Sequence, residues 1–175
     1  CDIKATVKKA KSLGMEAVGL ADIGNMFGAF AFVDAAEKEG IKPILGYEAY
    51  VNQDHTDRTH QDNGYRIPFF AKNQEGYLNL VKMSSIAYTD GFYYKPRIDK
   101  NLVAKYKKEV IATTGGLYGE IPSLLLNVGE AQAEEAFCWW HQQFGEDFYI
   151  EINRHGLEEE AFVNKKLLEW AAKYD

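Results

Sequence analysis

The sequence predicts an α/β fold, on three observations. Short apolar runs alternate with helix-like amphipathic stretches along the 175 residues, which is the pattern of a parallel sheet with crossover helices. Several of these runs are apolar throughout, as suits strands covered on both faces. Polar residues cluster just past their ends, where α/β proteins place their chemistry. A five-stranded open sheet and part of a (βα) barrel both satisfy this pattern. The chain starts and ends on helix-like stretches, as though strands had been cut from both ends, and this favours a barrel fragment.

Residues 3–13 read as a helix: Asp2 is placed to cap it, Ile3, Val7 and Ala10 share a face, and Gly14 stops it. A buried strand covers 16–21. A second helix spans 26–39 and ends at Gly40, and a second strand spans 44–51. The polar stretch 52–64 reads as a surface loop. A third strand runs from Tyr65 to Ala71. Asn73 caps the next helix, whose predicted buried face is Tyr77, Leu80, Val81, Ser84 and Tyr88. Residues 90–97 form an aromatic, proline-containing loop, and Asp99 opens a short helix. The fourth strand is 110–113, bounded by Gly115 and Gly116. Two helices, 119–127 and 130–143, meet at Gly129, and the fifth strand is 147–152. The last helix, 157–173, turns Val163, Leu167, Trp170, Ala171 and Tyr174 inward.

Composition narrows the function classes. Apolar residues make up 46% and aromatics 14%, enough for one domain with a core. No apolar run approaches the roughly 20 residues that span a bilayer, and no basic-then-apolar leader is visible, so a cytoplasmic setting is expected. Cys1 and Cys138 are too few for a disulfide framework or a zinc cluster. A net charge of −6 is a poor electrostatic grip on phosphate backbones.

The most informative stretch is Asp22-Ile23-Gly24-Asn25-Met26, which leaves the first strand. The polar strand ends supply Asp22, Asn25, Glu48, Thr113, Thr114, Asn153, Arg154 and His155, which converge on one mouth if the sheet is a barrel. Asp22, Glu48 and His155 are chemically suited to a divalent metal that makes hydroxide for phosphoester hydrolysis. The competing reading is a polar rim held by caps and hydrogen bonds. His55, Asp57, His60 and Asp62 crowd one loop and read as solvated, because nothing in the loop's sequence fixes ligand geometry. Tyr93-Tyr94-Lys95-Pro96-Arg97 reads as a packed loop, with stacking of single-stranded nucleic acid as the alternative. Trp139, Trp140 and Trp170 read as core, and Cys138 as inert packing. No G-x-S-x-G, P-loop or G-x-G-x-x-G occurs, and no residue is assigned a catalytic role.

Ala21-Asp22-Ile23-Gly24-Asn25-Met26-Phe27-Gly28 resembles the T-D-H-G-N-M-x-G segment of the PHP (polymerase and histidinol phosphatase) family. Residues 40–48, 71–77, 91–99, 117–122 and 144–151 resemble, in the same order, the branch of that family carried by bacterial replicative DNA polymerase III alpha subunits. The resemblance implies a distorted (βα)7, TIM-like barrel with a metal cluster at its mouth. It makes residues 1–175 a single PHP fragment without the first strand, which carries an H-x-H motif, and without the last strands. Four family ligand positions fall inside the chain, occupied by Ile23, Glu48, Arg66 and Gly116. Only Glu48 can bind a metal. Arg66 would repel an ion and is expected to pair with Glu48 instead.

The resemblance therefore implies a PHP domain with a degenerate metal site that scaffolds a DNA-directed DNA polymerase. The rest of the alpha chain is the expected partner, the proofreading exonuclease subunit a further one, and DNA is held mainly by other domains. No cofactor is expected in this segment, against zinc or manganese in intact members and magnesium in the polymerase domain. The alternative is an active metal-dependent phosphoesterase, 3′–5′ exonuclease or pyrophosphatase.

Overall fold

The computed structural model describes residues 2–174, so Cys1 lies outside the described residues. The elements are α1 (Ile3–Ser12), β1 (Ala17–Ile23), α2 (Ala29–Glu39), β2 (Lys42–Asn52), β3 (Tyr65–Ala71), α3 (Gln74–Thr89), β4 (Phe92–Tyr93), β5 (Lys95–Asp99), α4 (Lys100–Tyr106), β6 (Val110–Thr113), α5 (Glu120–Asn127), α6 (Glu130–Phe144), β7 (Phe148–Tyr149) and α7 (Glu158–Tyr174). The predicted caps form. Asp2 accepts from the Ala5 N–H at 2.7 Å, Asn73 from Glu75 at 3.0 Å, and Asp99 from Leu102 at 2.9 Å.

The sheet is mixed rather than parallel. Its path is β4-β5-β2-β3-β6-β7, with β1 also on β2. β1, β5, β6 and β7 make parallel pairs with β2 or with each other, but β3 runs antiparallel to both β2 and β6. The reason lies in the 52–64 loop. It contains no helix, and without a crossover the chain returns beside the strand it left. The sheet also has seven strands rather than five, because the proline-containing loop folds back as β4 and β5. The predicted 147–152 strand shortens to Phe148–Tyr149.

β2 is long enough to serve two neighbours on one edge: its first half pairs with β1 and its last residues with β5. Strand alternation then divides the sheet into two faces. Tyr47, Ala49, Val51, Ile67, Phe69 and Ala112 face the helices and join Leu80, Met83, Trp140, Leu167 and Trp170 in the main core. Val7, Ala10, Phe32 and Ala36 form a smaller core under α1 and α2. Of the three tryptophans, Trp140 and Trp170 are buried and Trp139 is half-buried. In α3 the buried face is Gly76, Leu80, Met83 and Ala87 rather than the predicted one, and Tyr88 is exposed. Gly76 sets that rotation by lying flat against the Glu109 carbonyl.

Glu48, Tyr50 and Arg66 project from the opposite face. There the Phe70 ring lies on Gly46, where a Cβ would come within 2.7 Å of the ring carbons.

Candidate functional site at the sheet mouth

Register decides which residues meet on the mouth face. β1 extends through Ile23, which pairs directly with Glu48, while Asp22 pairs with Tyr47 on the helix-covered face. Asp22 therefore turns away from the mouth, and its carboxylate accepts the Gly28 N–H at 2.8 Å, closing the turn into α2. Gly24 makes that turn possible, with φ at 72° and the Tyr50 ring 3.0 Å from where a Cβ would stand. Asn25 is consumed locally. Its side chain donates to the Ile23 carbonyl at 3.0 Å and accepts from the Phe27 N–H at 2.9 Å.

β3 brings Arg66 opposite Tyr50, hence onto the same face as Glu48. Arg66 Nε stands 2.9 Å from Glu48 Oε1, a charge contact without hydrogen-bond alignment. The guanidinium lies 4.5 Å from the centre of the Tyr118 ring, and the Arg66 N–H donates to the Tyr118 carbonyl at 2.9 Å. Arg66 is thus held from two sides.

β6 and β7 supply the far wall. Thr113 Oγ1 donates to Glu151 Oε2 at 3.0 Å, the Glu151 N–H donates to Thr114 Oγ1 at 2.9 Å, and Asn153 Nδ2 donates to Glu151 Oε1 at 3.1 Å. A side chain at Gly116 would meet Asn153 Nδ2 at 3.3 Å. Burial pushes the Glu48 carboxyl above its ordinary range, Arg66 pulls it back, and the Glu151 charge pushes it up again. Glu151 therefore belongs to the site, although sequence reasoning did not count it among the polar strand ends. Its signal was present in the sequence: it comes directly after the apolar run Phe148-Tyr149-Ile150.

His155 does not reach the mouth. Its N–H and its Nδ1 each lie 2.6 Å from the Glu160 carboxylate, in the first turn of α7. Arg154 is exposed. The structure thus separates Asp22, Glu48 and His155. Among the described residues, one trio of potential ligands gathers within 4.8 Å: Asp54, His55 and Asp99. In the same loop, Asp57 accepts from the Thr59 N–H and hydroxyl, Asp62 accepts from the Gly64 N–H, and His60 is exposed. Arg97 of the aromatic-basic stretch is fully buried, whereas Tyr94 is exposed.

The four positions that the resemblance aligned with metal ligands do not fit an ion. Ile23 and Gly116 offer no donor atom, and the one carboxylate, Glu48, already faces a fixed cation.

An α/β fold with this strand order and this mouth defines a class. The PHP domain family matches residues 1–155, and the chain belongs to that family. Within it, the chain is similar to DNA polymerase III alpha subunits. The Borreliella burgdorferi subunit is 40% identical over 173 residues, covering 97% of this chain and 15% of that protein. The Helicobacter pylori subunit is 41% identical over 95% of the chain and 15% of its own length. That of Aquifex aeolicus is 41% identical over 99% of the chain and 16% of its length. The chain spans about 15% of the length of these curated relatives. A crystallised protein of Bifidobacterium adolescentis, described as a candidate metal-dependent phosphoesterase, shares the fold. Its TM-score is 0.51 at 14% identity, over 95% of this chain and 78% of that one. Among the described residues, no helix is long and apolar enough to cross a membrane.

Proposed function

We propose that this chain is the PHP domain of a bacterial DNA polymerase III alpha subunit, with a metal site that has become a protein-made ion pair. Its role is to scaffold the neighbouring parts of that cytoplasmic polymerase and to present a docking face, the proofreading exonuclease subunit being the candidate partner. Nucleotide addition belongs to domains outside this segment. The open sheet, with β1 and β7 each paired on one edge among the described residues, suits the middle of the family's TIM-like barrel.

One observation carries this reading: Arg66 stands 2.9 Å from Glu48, where an ion would need that carboxylate for itself. Ile23 lines the other side of Glu48 with hydrocarbon. Hydrolysis through Asp22, Glu48 and His155 loses its geometric basis, because the first and last are committed to α2 and α7.

The test is turnover. The protein carrying this chain is assayed on a phosphodiester and on pyrophosphate with Mn²⁺ or Zn²⁺. No turnover that depends on Glu48 is expected. Metal-dependent hydrolysis abolished by Glu48→Gln would overturn the proposal.

A further inference from the structure

The 52–64 loop is mostly exposed, as its sequence suggests, and its main chain is pinned from within. Arg97, fully buried, donates Nε to the Gly91 carbonyl at 3.1 Å and Nη1 to that of Asp62 at 3.4 Å. Its Nη2 donates to the carbonyls of Asp57 at 2.7 Å and His55 at 3.3 Å. All of these acceptors are main-chain oxygens. Arg97 thus fastens the loop over β5 without neutralising a carboxylate, the opposite of what Arg66 does at the mouth. Among the described residues, no arginine or lysine lies within ion-pair distance of Asp54 or Asp99, and His55 is the sole charged-type partner of Asp99.

The fastening gathers donor atoms. Asp54, His55 and Asp99 place two carboxylates and an imidazole within 4.8 Å of one another. Asn52 is an independent observation beside them. It pairs with Asp99 across β2 and β5, so the two side chains leave the same face. Asn52 is 7% exposed, and its Nδ2 donates to the Asp54 carbonyl at 2.9 Å, which fixes its amide against the cluster. The Oδ1 of that amide is sealed from solvent and accepts no hydrogen bond. Rotating the amide would only set this oxygen against the Asp54 carbonyl. A buried acceptor held at a cluster of anionic groups calls for a cation.

We propose that Asn52 Oδ1, Asp54, His55 Nδ1 and Asp99 form a site for one divalent ion of the manganese or zinc class. Three oxygens and one imidazole nitrogen suit such ions better than calcium, which takes oxygen alone. His55 Nδ1 and Asp99 Oδ2 lie 2.5 Å apart, in hydrogen-bond contact. The ion replaces that contact, bound at Nδ1 by the neutral imidazole with its proton on Nε2. The site lies about 13 Å along β2 from Glu48, four residues at strand spacing. Its role is to staple the loop to β2 and β5, apart from any chemistry at the mouth.

Mn²⁺ alone is the probe, titrated into the full-length protein that carries this chain and followed by the loss of its free-ion electron paramagnetic resonance signal. One equivalent is expected to bind here, read as the difference between wild type and the variants below, because the polymerase domain takes ions of its own. Affinity for that equivalent should fall about tenfold or more in both Asp54→Asn and His55→Ala, and stay unchanged in Glu48→Gln. Asp54→Asn keeps an acceptor for Thr56, which Asp54 holds at 2.8 Å, so the turn survives if His55→Ala fails to fold. Equal Mn²⁺ stoichiometry and affinity in wild type and Asp54→Asn would overturn the proposal. So would loss of the ion in Glu48→Gln alone.

Discussion

Replacing Arg66 by Met isolates the mouth ion pair. At 2.9 Å, unit charges attract by about 1.4 kcal/mol in bulk water and by about 6 kcal/mol at an effective permittivity of 20. One third of the Arg66 side chain and one fifth of the Glu48 side chain are exposed. Solvent screening and side-chain ordering then place the net coupling near the lower end, about 1–2 kcal/mol. Loss of the Tyr118 stack adds about 0.5–1 kcal/mol. A double-mutant cycle of Arg66→Met with Glu48→Gln, read by urea denaturation, separates the two contributions. Glu48 sets the sign of the pH dependence. Removing Arg66 removes the lowering influence and leaves burial and Glu151, so its carboxyl is raised further in the variant. The cost of Arg66→Met is then largest above that raised value. It shrinks as pH falls through the variant's value and then the wild-type value, because a neutral Glu48 no longer needs the guanidinium. A coupling near zero at pH 7, or one that does not change on acidification, would refute the account.

Other substitutions test the surrounding frame. Gly76→Ala favours helix by about 1 kcal/mol on propensity alone. Here a Cβ would stand 1.9 Å from the Glu109 carbonyl oxygen, so a net loss of about 2 kcal/mol is expected; an unchanged or higher urea midpoint would contradict that approach. Asp22→Ala removes the acceptor of the Gly28 N–H and should cost about 1 kcal/mol without altering metal uptake. A change in ion stoichiometry in that variant would return Asp22 to the mouth. Glu160 is held below its ordinary range by the side-chain and main-chain hydrogen bonds of His155. The stability it contributes is present above the ordinary glutamate range and is lost as pH falls through the lowered value. Glu160→Gln should therefore destabilise at neutral pH and flatten the acid limb of a thermal-melt series. A limb identical to wild type would remove His155 from that role.

Much of the fold was legible because its signals are local. Asp2, Asn73 and Asp99 are short acceptors just before helical periodicity, and each caps the helix it precedes. Val163, Leu167 and Trp170 keep the spacing that buries them. Strand direction was legible but missed, because it depends on what the connection contains. The 52–64 loop lacks a helix, and that should have argued against a parallel β3. The buried guanidinium of Arg97 was out of reach, since its carbonyl partners stand 6 to 42 residues away. Charge density in that loop suggested solvent, and most of its residues are exposed, but one arginine draws three of its main-chain carbonyls inward.

Parity decides which of the candidate residues share the mouth face. In a strand, one step along the chain reverses the face. Asp22 and Ile23 are neighbours in sequence, yet β1 stays extended through Ile23 and sends only that residue to Glu48. An aspartate at the end of an apolar run is thus a turn-closing acceptor, and the chemically silent isoleucine occupies the informative position. The same parity puts Arg66 on the face of Glu48 and hides Ile67 in the core. Without a cation beside them, Glu48 and Glu151 would be half-buried carboxylates repelling each other. Arg66 supplies the countercharge from within the chain, and Thr113 and Asn153 bond to Glu151. These contacts act together, so placing a single metal-binding side chain at Ile23 or Gly116, or removing Arg66, should lower stability rather than build a metal centre.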